Sequence, residues 1–330
     1  MTKKGANIVQ CLLCPHHCRL AEYERGQCRV RINVGGELHS LVYGRPCAVH
    51  IDPIEKKPMY HVLPGTKAFS LATAGCCLHC KYCQNWTISQ KNPEDLQSYD
   101  LPPHKVVAVA KARGCSSIAY TYTEPTVFFE YVYDTCLLAR EAGLVNINVT
   151  SGYIEKEPCK KLSTVMDCAN VDLKGFSEEF YQQVCGGHLR PVLDALVTMK
   201  EGATFVEVTN LIVPGLNDDM DAFYKMCKWI VKNLGADTPL HISRFHPQFR
   251  LRNVTATPAK TLTKASSKAK DAGLHHVYVG NIYMPDAGLT SCPKCNGRLI
   301  ERRGFYVVQN RVNNGLCPDC GKPVAGIWQK

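Results

Sequence analysis

Ala74-Gly75-Cys76-Cys77-Leu78-His79-Cys80-Lys81-Tyr82-Cys83 places four cysteines on ten residues, directly after an apolar, strand-like stretch. Thiolates crowded onto one short loop are metal ligands, and soft sulfur selects iron–sulfur or zinc over hard cations such as magnesium. Cys76, Cys80 and Cys83 form C-x3-C-x2-C. Three such thiolates can hold three irons of a [4Fe–4S] cluster and leave the fourth iron open to a small molecule. Cys77, Cys80 and Cys83 form a second register, C-x2-C-x2-C, which has the spacing of a ferredoxin run. Spacing alone leaves both registers open.

Two more sets carry metal-binding spacing. Cys11, Cys14, Cys18 and Cys28 read C-x2-C-x3-C-x9-C, with Pro15 and Gly26 placed to turn the backbone between them. Four thiolates suit a closed tetrahedral zinc site or an ordinary [4Fe–4S] cluster, and His16 or His17 could substitute as ligands. Cys292, Cys295, Cys317 and Cys320 read C-x2-C-x21-C-x2-C, a zinc-ribbon pattern with a rubredoxin-like iron site as the competitor. Cys47, Cys115, Cys136, Cys159, Cys168, Cys185 and Cys227 show no ligand spacing and read as packing thiols.

The chain as a whole bounds these readings. Nineteen cysteines in 330 residues would suit an oxidised secreted protein, but Met1 to Asn7 lack the apolar region of a secretory signal. The expectation is therefore cytoplasmic, with metal ligands before disulfides. No apolar run approaches the roughly 20 residues that cross a bilayer, so no membrane association is expected. Lys and Arg number 39 against 29 Asp and Glu, a net charge of +10. The positive residues are scattered, which argues for solvated surface and against a nucleic-acid footprint.

The elements that must position the central loop alternate strand and helix. Strands are predicted at 69–73, 117–122, 146–150, 169–173, 205–211, 240–245 and 276–280, with helices at 102–114, 126–141 and 260–272 among those between them. Such alternation means a parallel sheet with crossover helices. The expected fold is α/β: a partial (β/α)6 TIM-like barrel over 68–285, preceded by a cysteine-rich metal-binding segment and hairpin (1–67) and followed by a small zinc-ribbon-like module (286–330). The hairpin is expected between 36–43 and 47–51. In barrels the chemistry sits at the C-terminal strand ends. Those ends carry Thr123-Glu124-Pro125, Thr150-Ser151-Gly152, Asp172-Leu173-Lys174, Asn210 with Val213-Pro214-Gly215, and Arg244-Phe245-His246. Five successive turns with a donor or acceptor in each point to one shared polar site.

The chain resembles the radical S-adenosylmethionine (SAM) superfamily through Cys76, Cys80 and Cys83, with Tyr82 before the last ligand. It is most similar to the AmmeMemoRadiSam system enzymes, in the pyruvate formate-lyase activating enzyme-like branch. That closer likeness rests on the N-terminal cysteines, Tyr122-Thr123-Glu124-Pro125-Thr126, Asp172-Leu173-Lys174, Val213-Pro214-Gly215-Leu216-Asn217-Asp218, Ser243-Arg244-Phe245-His246-Pro247, Tyr278-Val279-Gly280-Asn281 and the C-terminal cysteines. The resemblance implies Cys76, Cys80 and Cys83 as cluster ligands, with Cys77 an extra thiol beside them. It implies SAM on the open iron, cleaved reductively to a 5′-deoxyadenosyl radical that takes hydrogen from a substrate, an oxidoreductase chemistry handled anaerobically.

The same resemblance implies SAM contacts. Tyr122 and Thr123 replace the glycines of a Gly-Gly-Glu-Pro turn, and Glu124 keeps the capacity to accept from the methionyl ammonium. Thr150 and Ser151 stand where the family meets the ribose, and Asp172 and Lys174 meet SAM or substrate. Asn210, Gly280 and His246 are further binding candidates. Implied partners are a flavodoxin- or ferredoxin-type electron donor and Memo-like and AMMECR-type proteins, with the substrate a partner protein or a small molecule. The alternative is a non-catalytic protein with several metal sites, an iron–sulfur electron carrier or a zinc-dependent nucleic-acid binder.

Overall fold

The computed structural model describes residues 7–329, so the reading of Met1 to Ala6 lies outside it. Two short antiparallel pairs come first: β1 (Val9–Gln10) with β2 (Arg19–Leu20), and β3 (Arg31–Val34) with β4 (Glu37–Ser40). Here the structure corrects the expected hairpin. β4 turns back on β3, because Gly35 and Gly36 adopt φ of 65° and 86°, the two positive values that a two-residue type I′ hairpin needs. β5 (Ala48–Pro53) instead pairs antiparallel with β6 (Lys67–Ala72) and forms an edge of the main sheet.

From β6 the chain runs through α1 (Trp86–Ser89), α2 (Pro103–Ala112), β7 (Ser117–Tyr120), α3 (Phe129–Glu141), β8 (Val145–Thr150), α4 (Lys156–Ser163) and β9 (Cys168–Asp172). The short α5 (Glu178–Phe180) then widens into a π turn, Tyr181–Cys185. α6 (Leu189–Glu201), β10 (Phe205–Ile212), α7 (Met220–Asn233), β11 (Leu240–Arg244), α8 (Ala259–Asp271) and β12 (Val277–Gly280) complete the body. The sheet order is β5 to β12 in sequence, parallel from β6 onward, giving six strand–helix crossovers. This is the partial barrel expected from the alternation. Ser117, Ile118, Ala119 and Tyr120 are all buried, as befits a parallel strand covered by helices outside and by the barrel's own filling inside.

The N-terminal segment lies over the cysteine loop. His16 Nε2 meets the Cys77 carbonyl at 2.7 Å, Glu155 N donates to the Leu13 carbonyl, and Arg31 donates to the Val127 carbonyl and to Glu130. Gly75, at φ 85°, is required by this contact: a Cβ there would collide with the Cys28 carbonyl and the Val30 side chain. At the opposite end of the barrel, residues 54–66 link β5 to β6 and plug the opening. Buried Glu207 on β10 accepts from the Tyr60 N–H at 3.1 Å and the His61 N–H at 2.8 Å, and His241 Nε2 lies 2.6 Å from it. Stripping an acceptor from a buried N–H costs about 1–3 kcal/mol, so this one carboxylate anchors the plug.

β13 (Thr290–Ser291), β14 (Arg298–Arg303) and β15 (Tyr306–Asn310) form a three-stranded antiparallel module docked on that plug. Arg302 donates to the Tyr60 carbonyl at 2.6 Å, and Ile327 is joined to His61 and Leu63 by backbone hydrogen bonds. The module's own core is Cys292, Leu299, Ile300, Cys317 and Val324. So small a core calls for a metal staple.

Candidate active site: a thiol-lined cavity at the strand ends

A cavity of about 580 Å³ runs from the cysteine loop into the barrel, a size typical of small-molecule sites. Cys76, Cys80 and Cys83 all line it, and Cys77 does not. The Cys77 thiol is buried between Cys14 of the N-terminal segment and its neighbour Cys76, 3.7 Å from the Tyr153 carbonyl. The three lining thiols have the surroundings that sulfur ligands need. The Leu78 N–H faces Cys76 Sγ at 3.4 Å, and the Ser89 hydroxyl lies 3.2 Å from Cys83 Sγ. Burial pushes the Cys83 thiol up to about 11, so loading a metal here must displace a proton. The donor set therefore fits a cluster held by three cysteines.

The loop itself is held from below. The His79 and Lys81 N–H groups donate to the carbonyls of Cys185 and Val184, at 2.8 and 2.9 Å, so the π turn runs alongside the loop. This places Cys185, read from sequence as a packing thiol, beside Cys80 and 3.7 Å from the Tyr82 hydroxyl. No spacing in the sequence connects the two cysteines.

Of the residues expected to meet SAM, Tyr122, Thr123, Thr150, Ser151, Asp172, Lys174 and Gly280 line the cavity. Lys174 Nζ lies 3.0 Å from Asp172 Oδ2. Burial opposes its charge, but Asp172 and the Cys80 and Cys185 thiols outweigh it and hold the ammonium charged well above the usual lysine range. Tyr122 takes a glycine's conformation, φ 67°, where a bulky residue costs about 1–3 kcal/mol. Its carbonyl accepts from Asn85 Nδ2 at 2.9 Å and its hydroxyl donates to Asp52 Oδ2 at 2.7 Å, which together pin it. The Tyr122-Thr123 backbone thus keeps the turn that the glycines would have supplied.

Glu124, Asn210 and His246 do not line the cavity. Glu124 is fully buried and its carboxylate is saturated. One oxygen accepts from Thr126 N, Thr126 Oγ1 and Thr150 Oγ1 at 3.1, 2.9 and 2.6 Å, and the other from Ser151 N and Ser151 Oγ at 2.8 and 2.5 Å. It holds the ends of β7 and β8 together and has no oxygen turned to the cavity. Asn210 Nδ2 donates to the Leu173 carbonyl, tying β10 to the end of β9. His246 is exposed, with its Nε2 3.3 Å from the Asn281 carbonyl. The cavity walls also include Tyr278, from the Tyr278-Val279-Gly280-Asn281 run, and residues that sequence reading did not single out: Lys57, Tyr60, Asn85, Ser89 and His241. Of the residues not singled out, Asn85 stands two residues past Cys83 and His241 lies on the predicted strand 240–245.

In the C-terminal module the four cysteines converge. Their sulfurs lie within 4.8 Å of one another, with Cys292–Cys320 at 3.6 Å and Cys295–Cys317 at 3.7 Å. A tetrahedron with Zn–S bonds of about 2.3 Å has sulfur–sulfur edges of roughly 3.8 Å, so this is a metal site in geometry. Among the described residues, the N-terminal Cys11, Cys14, Cys18 and Cys28 are not drawn together to that degree. No helix of the described residues is long and apolar enough to cross a membrane.

The parallel α/β barrel with three thiols at the end of its first barrel strand is an enzyme fold, and the comparisons with known proteins give its class. The model of the Radical SAM superfamily matches residues 70–230, and the chain belongs to that superfamily. An uncharacterized protein of Methanocaldococcus jannaschii is 44% identical over 98% of this chain and 96% of its own. Among solved structures, a radical SAM methyltransferase from Sphaerobacter thermophilus shares the fold with TM-score 0.53 at 14% identity, covering 66% of this chain and 67% of that one. Streptococcus suis SuiB bound to S-adenosylmethionine does so with TM-score 0.52 at 11% identity, over 70% of this chain and 53% of its own.

Proposed function

We propose that Cys76, Cys80 and Cys83 hold a [4Fe–4S] cluster and that the cavity beside them binds SAM and a substrate. The observation that carries this is the lining of one cavity by those three thiols together with seven of the strand-end residues expected to meet SAM. When bound, the cluster and SAM supply a carbon-centred radical able to take hydrogen from a substrate C–H bond. The protein orients and shields. Tyr122 and Thr123 present backbone at the turn after β7, Thr150 and Ser151 form the wall at the end of β8 with their hydroxyls held by Glu124, and the Asp172–Lys174 pair presents one charge of each sign. The N-terminal segment covers the loop's outer side and the plug closes the far end, which keeps bulk water from a reactive intermediate.

The C-terminal four-cysteine site is read as structural zinc, because all four positions are protein sulfur and none is left open. The N-terminal thiols, spread more widely, suit an iron–sulfur cluster better than a single tetrahedral ion. A flavodoxin- or ferredoxin-type protein supplies the electron, and Memo-like and AMMECR-type proteins are the partners that the family resemblance suggests. The test is anaerobic reconstitution with iron and sulfide, then reduction in the presence of SAM. The protein should form 5′-deoxyadenosine and Cys80→Ser should not; equal yields from both would overturn the reading.

A further inference from the structure

Two well-buried lysines line the cavity, and their surroundings differ. Lys174 has Asp172 as its ion-pair partner. Lys57, whose side chain is 2% exposed, shares Asp52. Its Nζ lies 2.5 Å from Asp52 Oδ2 and 3.1 Å from the Tyr122 hydroxyl, and that hydroxyl donates to the same oxygen. Asp52 Oδ1 meanwhile accepts from Lys56 Nζ at 2.9 Å. One carboxylate therefore serves a buried ammonium, Lys57, a half-exposed one, Lys56, and a phenol. Burial pushes the Lys57 ammonium down to about 8; Asp52 opposes that fall and Lys56 adds to it. A lysine must shed its proton before it can attack, and desolvation beside a second cation is the arrangement that lets it do so.

We propose that Lys57 forms an imine with a carbonyl-bearing substrate, an aldehyde or ketone, with Tyr122 and Asp52 completing the site; this rests on the cavity being the seat of the radical chemistry. The step balances without an oxidant or reductant. The ammonium sheds a proton to water, and the Nζ lone pair forms a bond to the carbonyl carbon while the C=O π pair moves to oxygen. That oxygen takes the Tyr122 proton, and the phenolate recovers one from the new ammonium. The carbinolamine hydroxyl takes up the proton first shed and leaves as water as the C=N bond forms. Lysine ammonium plus carbonyl thus gives protonated imine plus water, and Asp52 pairs with the cation that results.

The tether would hold the substrate in the chamber that the three thiols share. Tyr122, hydrogen-bonded to Lys57 through its hydroxyl, is bound through its carbonyl to Asn85, two residues beyond Cys83. An ordinary buried ion pair joining β5 to the plug is the competing account. It needs neither a lysine in the cavity wall nor a phenol 3.1 Å from its Nζ.

The experiment uses the reconstituted protein under anaerobic conditions. It is incubated with pyruvate, glyoxylate or glycolaldehyde as probes, reduced with cyanoborohydride, digested and mapped by mass spectrometry. The expected result is a reduced adduct concentrated on Lys57, absent in Lys57→Arg and formed about a hundredfold more slowly in Tyr122→Phe, the usual size of a general-acid contribution. Label spread over exposed lysines, or none on Lys57 with any of the probes, overturns the proposal. If Lys57→Arg does not fold, the adduct map of the unaltered protein decides alone. Formation of 5′-deoxyadenosine, measured separately, keeps the two readings apart: an adduct without it sinks the radical reading, and the converse sinks the imine.

Discussion

Replacing Glu124 by glutamine separates a structural carboxylate from a SAM ligand. The carboxylate accepts two backbone N–H groups, from Thr126 and Ser151, on opposite oxygens. An amide can accept on one side only, so whichever way the new side chain turned, one of those N–H groups would face another donor. Hydroxyls of Thr126, Thr150 and Ser151 can rotate; the N–H cannot. Losing one hydrogen bond to a charged acceptor costs about 1.5–3 kcal/mol, and the buried donor left unpaired adds about 1–3. We expect a loss of about 3 kcal/mol. Unfolding entropy of about 2.1 cal/mol/K per residue gives about 0.7 kcal/mol/K for this chain, so Tm should fall by about 4 °C. Anaerobic scanning calorimetry measures that shift, and equilibrium dialysis with SAM measures affinity on the same sample. Because Glu124 is absent from the cavity wall, SAM affinity should change less than about threefold. A Tm that does not move while affinity drops about tenfold, or about 1.4 kcal/mol, would show that the carboxylate meets the ammonium of SAM.

Three further outcomes are expected. Ala at Cys76, Cys80 or Cys83 should remove the cluster's iron and its reduced-state EPR signal, whereas Cys77→Ala should retain both; loss of signal in Cys77→Ala would restore the other register. Cys295→Ser should lower bound zinc by one ion per chain in elemental analysis and leave the cavity cluster's EPR signal intact, and an unchanged zinc content would refute a tetrahedral site. Trapping at Lys57 should rise with pH through about 8, where the lowered pKa turns ammonium into amine, and then level off. A rise deferred to the ordinary lysine range, about 10.4, would show that Asp52 keeps the group charged.

The barrel was legible because parallel strands covered on both faces are apolar at nearly every position, as in Ser117-Ile118-Ala119-Tyr120, and helical periodicity separates them. The hairpin expected between 36–43 and 47–51 differs from the observed one because Gly35-Gly36 turns 37–40 back on 31–34, while 48–53 pairs with 67–72, beyond Pro58 and Pro64. Within the site, strand-end position identified Thr150, Ser151, Asp172 and Lys174, because they lie at or just beyond the ends of strands. It could not separate Glu124, which faces sideways into the wall, from its neighbours that face the cavity. Lys57 was out of reach altogether. In sequence it sits in Glu55-Lys56-Lys57-Pro58, which reads as a charged surface turn, and only the plug's insertion into the barrel turns it inward.

That plug has a consequence for how the protein is made. His61 Nδ1 meets the Ala325 carbonyl across a separation of 264 residues, and Val62 runs beside Ile327. Residues 54–66 leave the ribosome long before the segment 325–327 that they lean on, so the barrel must assemble on a floor whose outer support has not yet been synthesised. Contacts this distant in sequence close last and slowly. The plug therefore gains its outer brace only after residues 325–327 are made, and a chain released before them would carry the cysteine loop and both lysines with the far end of the barrel unbraced.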